Sequence, residues 1–260
     1  METSTHAAVA ETKAPLFKKA QRESVKLKLA LTGPSGSGKT LGALSLASGI
    51  SSKIALIDTE NASASLYADR FEFDTVVMNP PYTIDKYCKA IRIAQDAGYE
   101  VLVIDSISHA WAGDGGLLAK KEALDSRNAK GTFTNWGTIS KEHEQFKAML
   151  LNCNIHLICT MRSKQDYVLE QNENGKSAPK KIGLAPIQRE GMEYEFTTVF
   201  DLAMNHEAEA SKDRTSLFDG RIFKLTPKIG KDLMGWLKAE KKKETAVAGG
   251  EFDSFQAGRI

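Results

Sequence analysis

Apolar residues fall along the chain in two textures. Short runs that are apolar at nearly every position alternate with longer stretches in which apolar residues recur every three or four places. Val25–Thr32 becomes fully apolar towards its end and reads as a strand, followed by a helix at Leu41–Ile50 and a buried strand at Lys53–Asp58. Thr75–Met78 reads as a short strand, and Ile84–Ala97 carries Ile84, Tyr87, Ile91 and Ala94 at helical spacing. Val101–Asp105 is a second continuous apolar run and ends in an aspartate; Ile139–Leu151 is helical and Ile155–Thr160 is another buried strand. Strands that are apolar on both faces and alternate with helices predict an α/β fold, a mostly parallel central sheet covered by helices on both sides.

Beyond Thr160 the texture changes. Tyr167–Glu170 and Lys180–Leu184 flank the polar segment QNENGKSAP, in which Asn174-Gly175 signals a hairpin turn. Tyr194–Met204 and Arg221–Thr226 read as further, antiparallel strands, and Leu233–Glu240 as a short helix. Glu207, Glu209 and Asp213 read as a surface acidic cluster, and the stretch from Asp114 has no clear strand period. Residues 1–15 read as a flexible arm, 16–240 as one domain, and the Lys-, Ala- and Gly-rich 241–260 as a disordered tail.

Composition narrows the class. With 42% hydrophobic and 26% charged residues among 260, the chain is close to an average soluble domain, which excludes a wholly disordered chain, a collagen or a disulfide-stapled miniprotein. No apolar run is long enough to span a membrane, and the first residues lack a signal-peptide core, so a cytoplasmic protein is expected (host cytoplasm, if phage-encoded). Cys88, Cys153 and Cys159 read as reduced core thiols, with no zinc-site spacing. The net charge of +2 conceals ten Lys/Arg against five Asp/Glu over Ala210–Glu244, a bias compatible with a nucleic-acid partner.

Gly33-Pro34-Ser35-Gly36-Ser37-Gly38-Lys39-Thr40 is a complete G-x-x-x-x-G-K-[ST] sequence, placed between a predicted strand and a predicted helix that opens with Leu41. Its glycines allow the backbone to wrap a phosphate chain at a helix N-terminus, so Gly33–Leu41 is the expected ATP-binding segment. Lys39 is positioned for the β- and γ-phosphates, and the Thr40 hydroxyl for one Mg²⁺ position. Asp105, at the end of a buried strand, supplies the opposing metal residue. Hydrolysis also requires a group that orients or deprotonates water. Ser106 occupies the position directly after Asp105, which leaves Glu60, just past the Lys53–Asp58 strand, as the candidate base.

A phosphate loop, a strand ending in D-x-E and a metal strand ending in D-S together resemble the RecA/RadA recombinase ATPase core. That resemblance implies Glu60 as catalytic base and Asp105 as Walker B aspartate. It also implies Tyr82, within Pro80–Asp85, as an aromatic neighbour of the nucleotide base, and Lys180, Lys181 or Arg189 as groups acting in trans on a neighbouring subunit's ATP. The order FKKAQRESVKL, GPSGSGKT, VIDSISHAW, PIQREGMEYEF and FDG, over roughly 16–240, is similar to compact phage-encoded RecA-core ATPases linked to single-strand annealing recombination. One departure stands out: where RecA proteins carry an Asn-Gln pair, this chain has Met161-Arg162, and Arg162 is expected to contact the γ-phosphate directly.

The same resemblance implies a single-stranded DNA partner. Lys164, Lys176, Lys180 and Lys181 would line a groove that tracks the backbone, with Phe133 and Trp136 available to stack on bases. Leu16-Phe17-Lys18-Lys19-Ala20 contains F-x-x-A, similar to the tether by which RadA-type subunits dock, so Phe17 and Ala20 are the expected oligomerisation residues of a ring or filament. A single-strand-binding protein is a further expected partner. A small-molecule or nucleotide kinase, and a weakly hydrolysing ATP-dependent DNA-binding partner, remain as alternatives. A GTPase motif N-K-x-D and an ABC motif L-S-G-G-Q do not occur.

Overall fold

The computed structural model describes residues 25–127, 131–171 and 177–238. Its sheet begins with β1 (Lys28–Gly33), which runs through the phosphate loop into α1 (Lys39–Ile50). There follow β2 (Ile54–Asp58), β3 (Asp74–Val77), α2 (Ile84–Asp96), β4 (Val101–Asp105), α3 (Ser108–Ala112), α4 (Leu117–Arg127) and α5 (Thr132–Asn152). The chain continues with β5 (His156–Gln171), β6 (Ser177–Pro186), β7 (Thr198–Leu202), β8 (Glu207–Asp213), β9 (Ile222–Lys224) and α6 (Pro227–Lys238).

The strand order is β3-β2-β4-β5-β1-β7-β8-β9, with β6 paired to β5 outside this path. All pairings from β3 to β7 are parallel, whereas β5–β6, β7–β8 and β8–β9 are antiparallel. Parallel strands present their C-terminal ends along one edge, and this gathers Gly33, Asp58, Asp105 and the Thr160–Arg162 stretch there. The decisive feature is that β5 lies between β1 and β4.

Alternation along each buried strand divides the core into two layers. On β4, Leu102 and Ile104 pack with α2 and α5, while Val101 and Val103 pack with α1 and α6. In the first layer Tyr87 of α2 meets Phe146 of α5 edge to face at 5.4 Å, a geometry worth about 0.5–1.5 kcal/mol beyond the area buried. Phe200, Phe218 and Phe223 form the corresponding aromatic cluster of the second layer. The helical spacing read in α2 is the buried face Ile84, Tyr87, Cys88, Ile91 and Ala94, and the helix is capped by the Thr83 hydroxyl, which accepts from Lys86 N–H. At the opposite sheet edge from the loop, Lys28 is buried, its ammonium satisfied by the carbonyls of Cys153 (2.7 Å) and Ile155 (3.0 Å). All three cysteines are free and buried.

Several expectations shift. The stretch from Asp114, read only as lacking a strand period, carries the helix α4, and α3 precedes it. The expected acidic cluster at Glu207, Glu209 and Asp213 is the strand β8, and Asp213 is used internally: its carboxylate accepts from the N–H groups of Thr215 (2.8 Å) and Phe218 (2.8 Å). Tyr194 precedes the strand read at Tyr194–Met204 and belongs to a 3-10 turn over Met192–Glu195. The hairpin after Thr160 is present as β5–β6, far longer than its apolar pattern suggested. The arm at 1–15, Phe17 and Ala20, the turn at Asn174-Gly175, Lys176 and the tail from 241 lie outside the described residues.

Candidate active site

The phosphate loop leaves β1 at Gly33 and re-enters regular structure at Lys39, with Gly36 (φ 82°) and Gly38 (φ 85°) in the left-handed region that L-residues with a Cβ avoid. Lys39 folds back onto the loop, its ammonium donating to the carbonyls of Gly33 (2.9 Å) and Pro34 (2.7 Å). Burial lowers its pKa, and the nearby carboxylates of Asp105 and Glu60 oppose that shift. The Ser37 hydroxyl is buried in the loop and has no hydrogen-bond partner among the described residues.

Asp105 is almost fully buried, and burial raises its pKa against the two hydroxyls that hold it. Thr40 donates to Oδ2 and Thr160 to Oδ1, each at 2.5 Å. The structure thus brings Thr40 and Asp105 together, as the sequence led us to expect. Thr160 went unnoticed in the sequence, because only the insertion of β5 between β1 and β4 puts it there.

Glu60 stands past the end of β2 at the same edge. Its position is set by Asp58, whose buried carboxylate accepts from the N–H groups of Glu60 (2.6 Å) and Ala64 (2.9 Å), closing a tight turn. Thr59 ties this turn to β4: its N–H donates to Asp105 O (2.7 Å), and its hydroxyl accepts from Ser106 N–H (2.8 Å). Arg162 grips Glu60 in a fork, Nε donating to Oε1 at 2.8 Å and Nη2 to Oε2. This ion pair raises the pKa of Arg162. The Arg162 backbone is fixed as well, with its N–H donating to Ser108 Oγ (2.9 Å) and its carbonyl accepting from Ile187 N–H (2.6 Å).

Two expected site residues have partners within the chain. Tyr82 is buried and one face of its ring stacks on His109 at 4.7 Å. Arg189 donates to Ser140 Oγ of its own chain (3.0 Å), and its Nη1 is buried. Trp136 packs on Trp111 at 6.3 Å, whereas Phe133 is 91% exposed. Lys164 is exposed on β5; Lys180 and Lys181 lie on β6 opposite Val168 and Tyr167.

A family model described as the AAA domain matches residues 25–238. The chain belongs to the AAA-domain family. It is therefore a P-loop ATPase, and the loop, Asp105 and Glu60 all fall within the matched span. No curated protein matches this AAA-domain chain. Among solved structures, an ATPase from the type III secretion system of pathogenic bacteria is similar at 14% identity and a TM-score of 0.40, over 79% of this chain and 66% of that one.

Proposed function

We propose that this AAA-domain ATPase hydrolyses ATP with Mg²⁺ at the Lys39–Asp105–Glu60 edge and couples turnover to single-stranded DNA, as a RecA-core protein of phage recombination or repair. The observation that carries the reading is the convergence of Thr40, Asp105, Glu60 and Arg162 at one sheet edge beside the phosphate loop. Thr40 and Asp105 offer a hydroxyl and a buried carboxylate, hard oxygen donors that suit Mg²⁺; when bound, it neutralises charge on the phosphate oxygens. Lys39 exchanges its loop carbonyls for phosphate oxygens. Glu60 takes the proton from the attacking water.

In this structure both oxygens of Glu60 are held by Arg162. The γ-phosphate offers the guanidinium a competing anion, which frees the carboxylate. The β5–β6 hairpin continues directly from Arg162, and Ile187 at its far end holds the Arg162 carbonyl, so anything that pulls on the hairpin also moves the arginine. Single-stranded DNA on Lys164, Lys180 and Lys181, with Phe133 as a stacking residue, is the proposed source of that pull. Assembly into a ring or filament through Phe17 and Ala20, and contact with a single-strand-binding protein, complete this reading. The ion pair that holds Glu60 also favours a second reading, an ATP-dependent DNA-binding partner with very slow turnover.

The test is ATP hydrolysis with and without single-stranded DNA at varied salt. Stimulation that fades as salt rises supports the first reading. Tight ATP-dependent DNA binding with no stimulation supports the second. Phosphate transfer to a small acceptor would replace both with a kinase.

A further inference from the structure

Every group placed so far lies on one flank of the phosphate loop. Asp105 on β4, Thr160 and Arg162 on β5, and Glu60 beyond β2 all stand on the side of β1 where β5 pairs. The other flank is β7. The turn that leaves β7, Ala203 to His206, folds over the loop. A Cβ on Gly36 would lie 3.5 Å from Cε of Met204, and one on Gly38 would lie 3.1 Å from Nδ1 of His206. The two left-handed glycines of the loop thus each face a side chain of this turn.

The turn is built to hold that position. Ala203 N–H donates to Glu207 O (2.9 Å) and His206 N–H to Ala203 O (3.0 Å). The Asn205 side chain ties it to Glu207, Nδ2 donating to Glu207 Oε2 (2.7 Å) and Oδ1 accepting from Glu207 N–H (3.1 Å). His206 sits at φ 65°, a conformation unfavourable for a residue with a Cβ, and it is kept there by these bonds. Met204 is 61% exposed, a large apolar side chain standing in water beside the loop.

The occupant follows from the shape of the ligand, on the reading of the site given above. A nucleoside triphosphate is a linear chain of phosphates with the nucleoside at one end. With the terminal phosphate at the Asp105–Glu60 flank, the nucleoside leaves the loop on the opposite flank. We propose that Met204 and His206 form the nucleoside wall of this site, with Met204 packing on the purine base and His206 facing the ribose end. A thioether is soft and polarisable, well suited to the face or edge of an aromatic ring.

The experiment compares two probes by calorimetry on the full chain: ATP, and inorganic tripolyphosphate, which has the phosphates and no nucleoside. Met204→Ala and His206→Ala should each weaken ATP binding, Met204→Ala by about tenfold, while tripolyphosphate binds as it does to the unaltered protein. Met204→Leu, which conserves volume, should restore most of the ATP affinity. Equal weakening for both probes would mean that the turn only props the loop, and would overturn the proposal. ATP affinity unchanged in both alanine variants would overturn it too. Failure of the unaltered protein to bind either probe would instead remove the phosphate-loop reading on which the proposal stands.

Discussion

At Glu60 a single carboxylate has two competing uses: it is the candidate base for water and the partner of Arg162. Glu60→Gln keeps the shape but offers the Arg162 fork one acceptor instead of two, and its amide cannot take a proton from water. We expect ATP to bind as before and turnover to fall by about a hundredfold or more, read by equilibrium binding beside a phosphate-release assay. Arg162→Ala frees Glu60 from its fork and removes the link to the hairpin. Its expected signature is a changed ratio rather than a changed rate: hydrolysis with single-stranded DNA divided by hydrolysis without it should fall towards one. A ratio equal to that of the unaltered protein would separate Arg162 from the coupling. Asp58 and Thr59 act a step behind, since they shape the turn that aims Glu60 and join it to Asp105.

At the level of elements, a buried imidazole at the start of β5 helps to join it to the segment entering β1. His156 Nδ1 accepts the Leu27 N–H at 3.0 Å, and burial with nearby Lys26 and Lys28 lowers its pKa from an ordinary 6.5 to about 4. The unfolded chain therefore binds a proton that the folded one refuses between those values, so stability is fully present above pH 6.5 and declines as pH falls towards 4. The loss is on the order of 3 kcal/mol at most. Thermal melts across this range should fall less steeply in His156→Gln than in the unaltered protein. The β5–β6 hairpin makes a different prediction. Replacing Lys180 and Lys181 by alanine should weaken single-strand binding and flatten its dependence on salt, because fewer counterions are released per complex. An unchanged slope in a fluorescence-anisotropy titration would assign these lysines elsewhere.

For the whole molecule, both core layers are built from residues of this chain, and the proposed assembly would place a neighbour beside the site. If the F-x-x-A motif at Phe17 and Ala20 docks subunits, Phe17→Glu puts a charge into an apolar contact worth roughly 1.5–3 kcal/mol per interface. Light scattering should then report smaller particles, and ATPase activity should fall in parallel if sites are completed between subunits. Equal size and equal activity would remove the motif from assembly.

The parallel sheet, its helices and the phosphate loop were legible in the sequence because each is a local pattern. Continuous apolar runs mark strands buried on both faces, a 3.6-residue period marks α2, and the loop needs its glycines and lysine at fixed offsets. Asp105 and Glu60 were legible for a related reason, since they follow buried strands whose ends share one edge. The sequence did not reveal what those residues touch. The insertion of β5 between β1 and β4 brings Thr160 to Asp105 and Arg162 to Glu60, a contact across a hundred residues that no local period encodes. Strand β8 was hidden because its alternation carries charges on the exposed face and small residues such as Ala208 within. Tyr82 and Arg189 carry the residue types of a binding site, but only tertiary packing decided that one ring stacks on His109 and that one guanidinium turns back to Ser140. Chain-local chemistry determined which elements form and where the phosphates belong; the order of strands decided which side chains meet there.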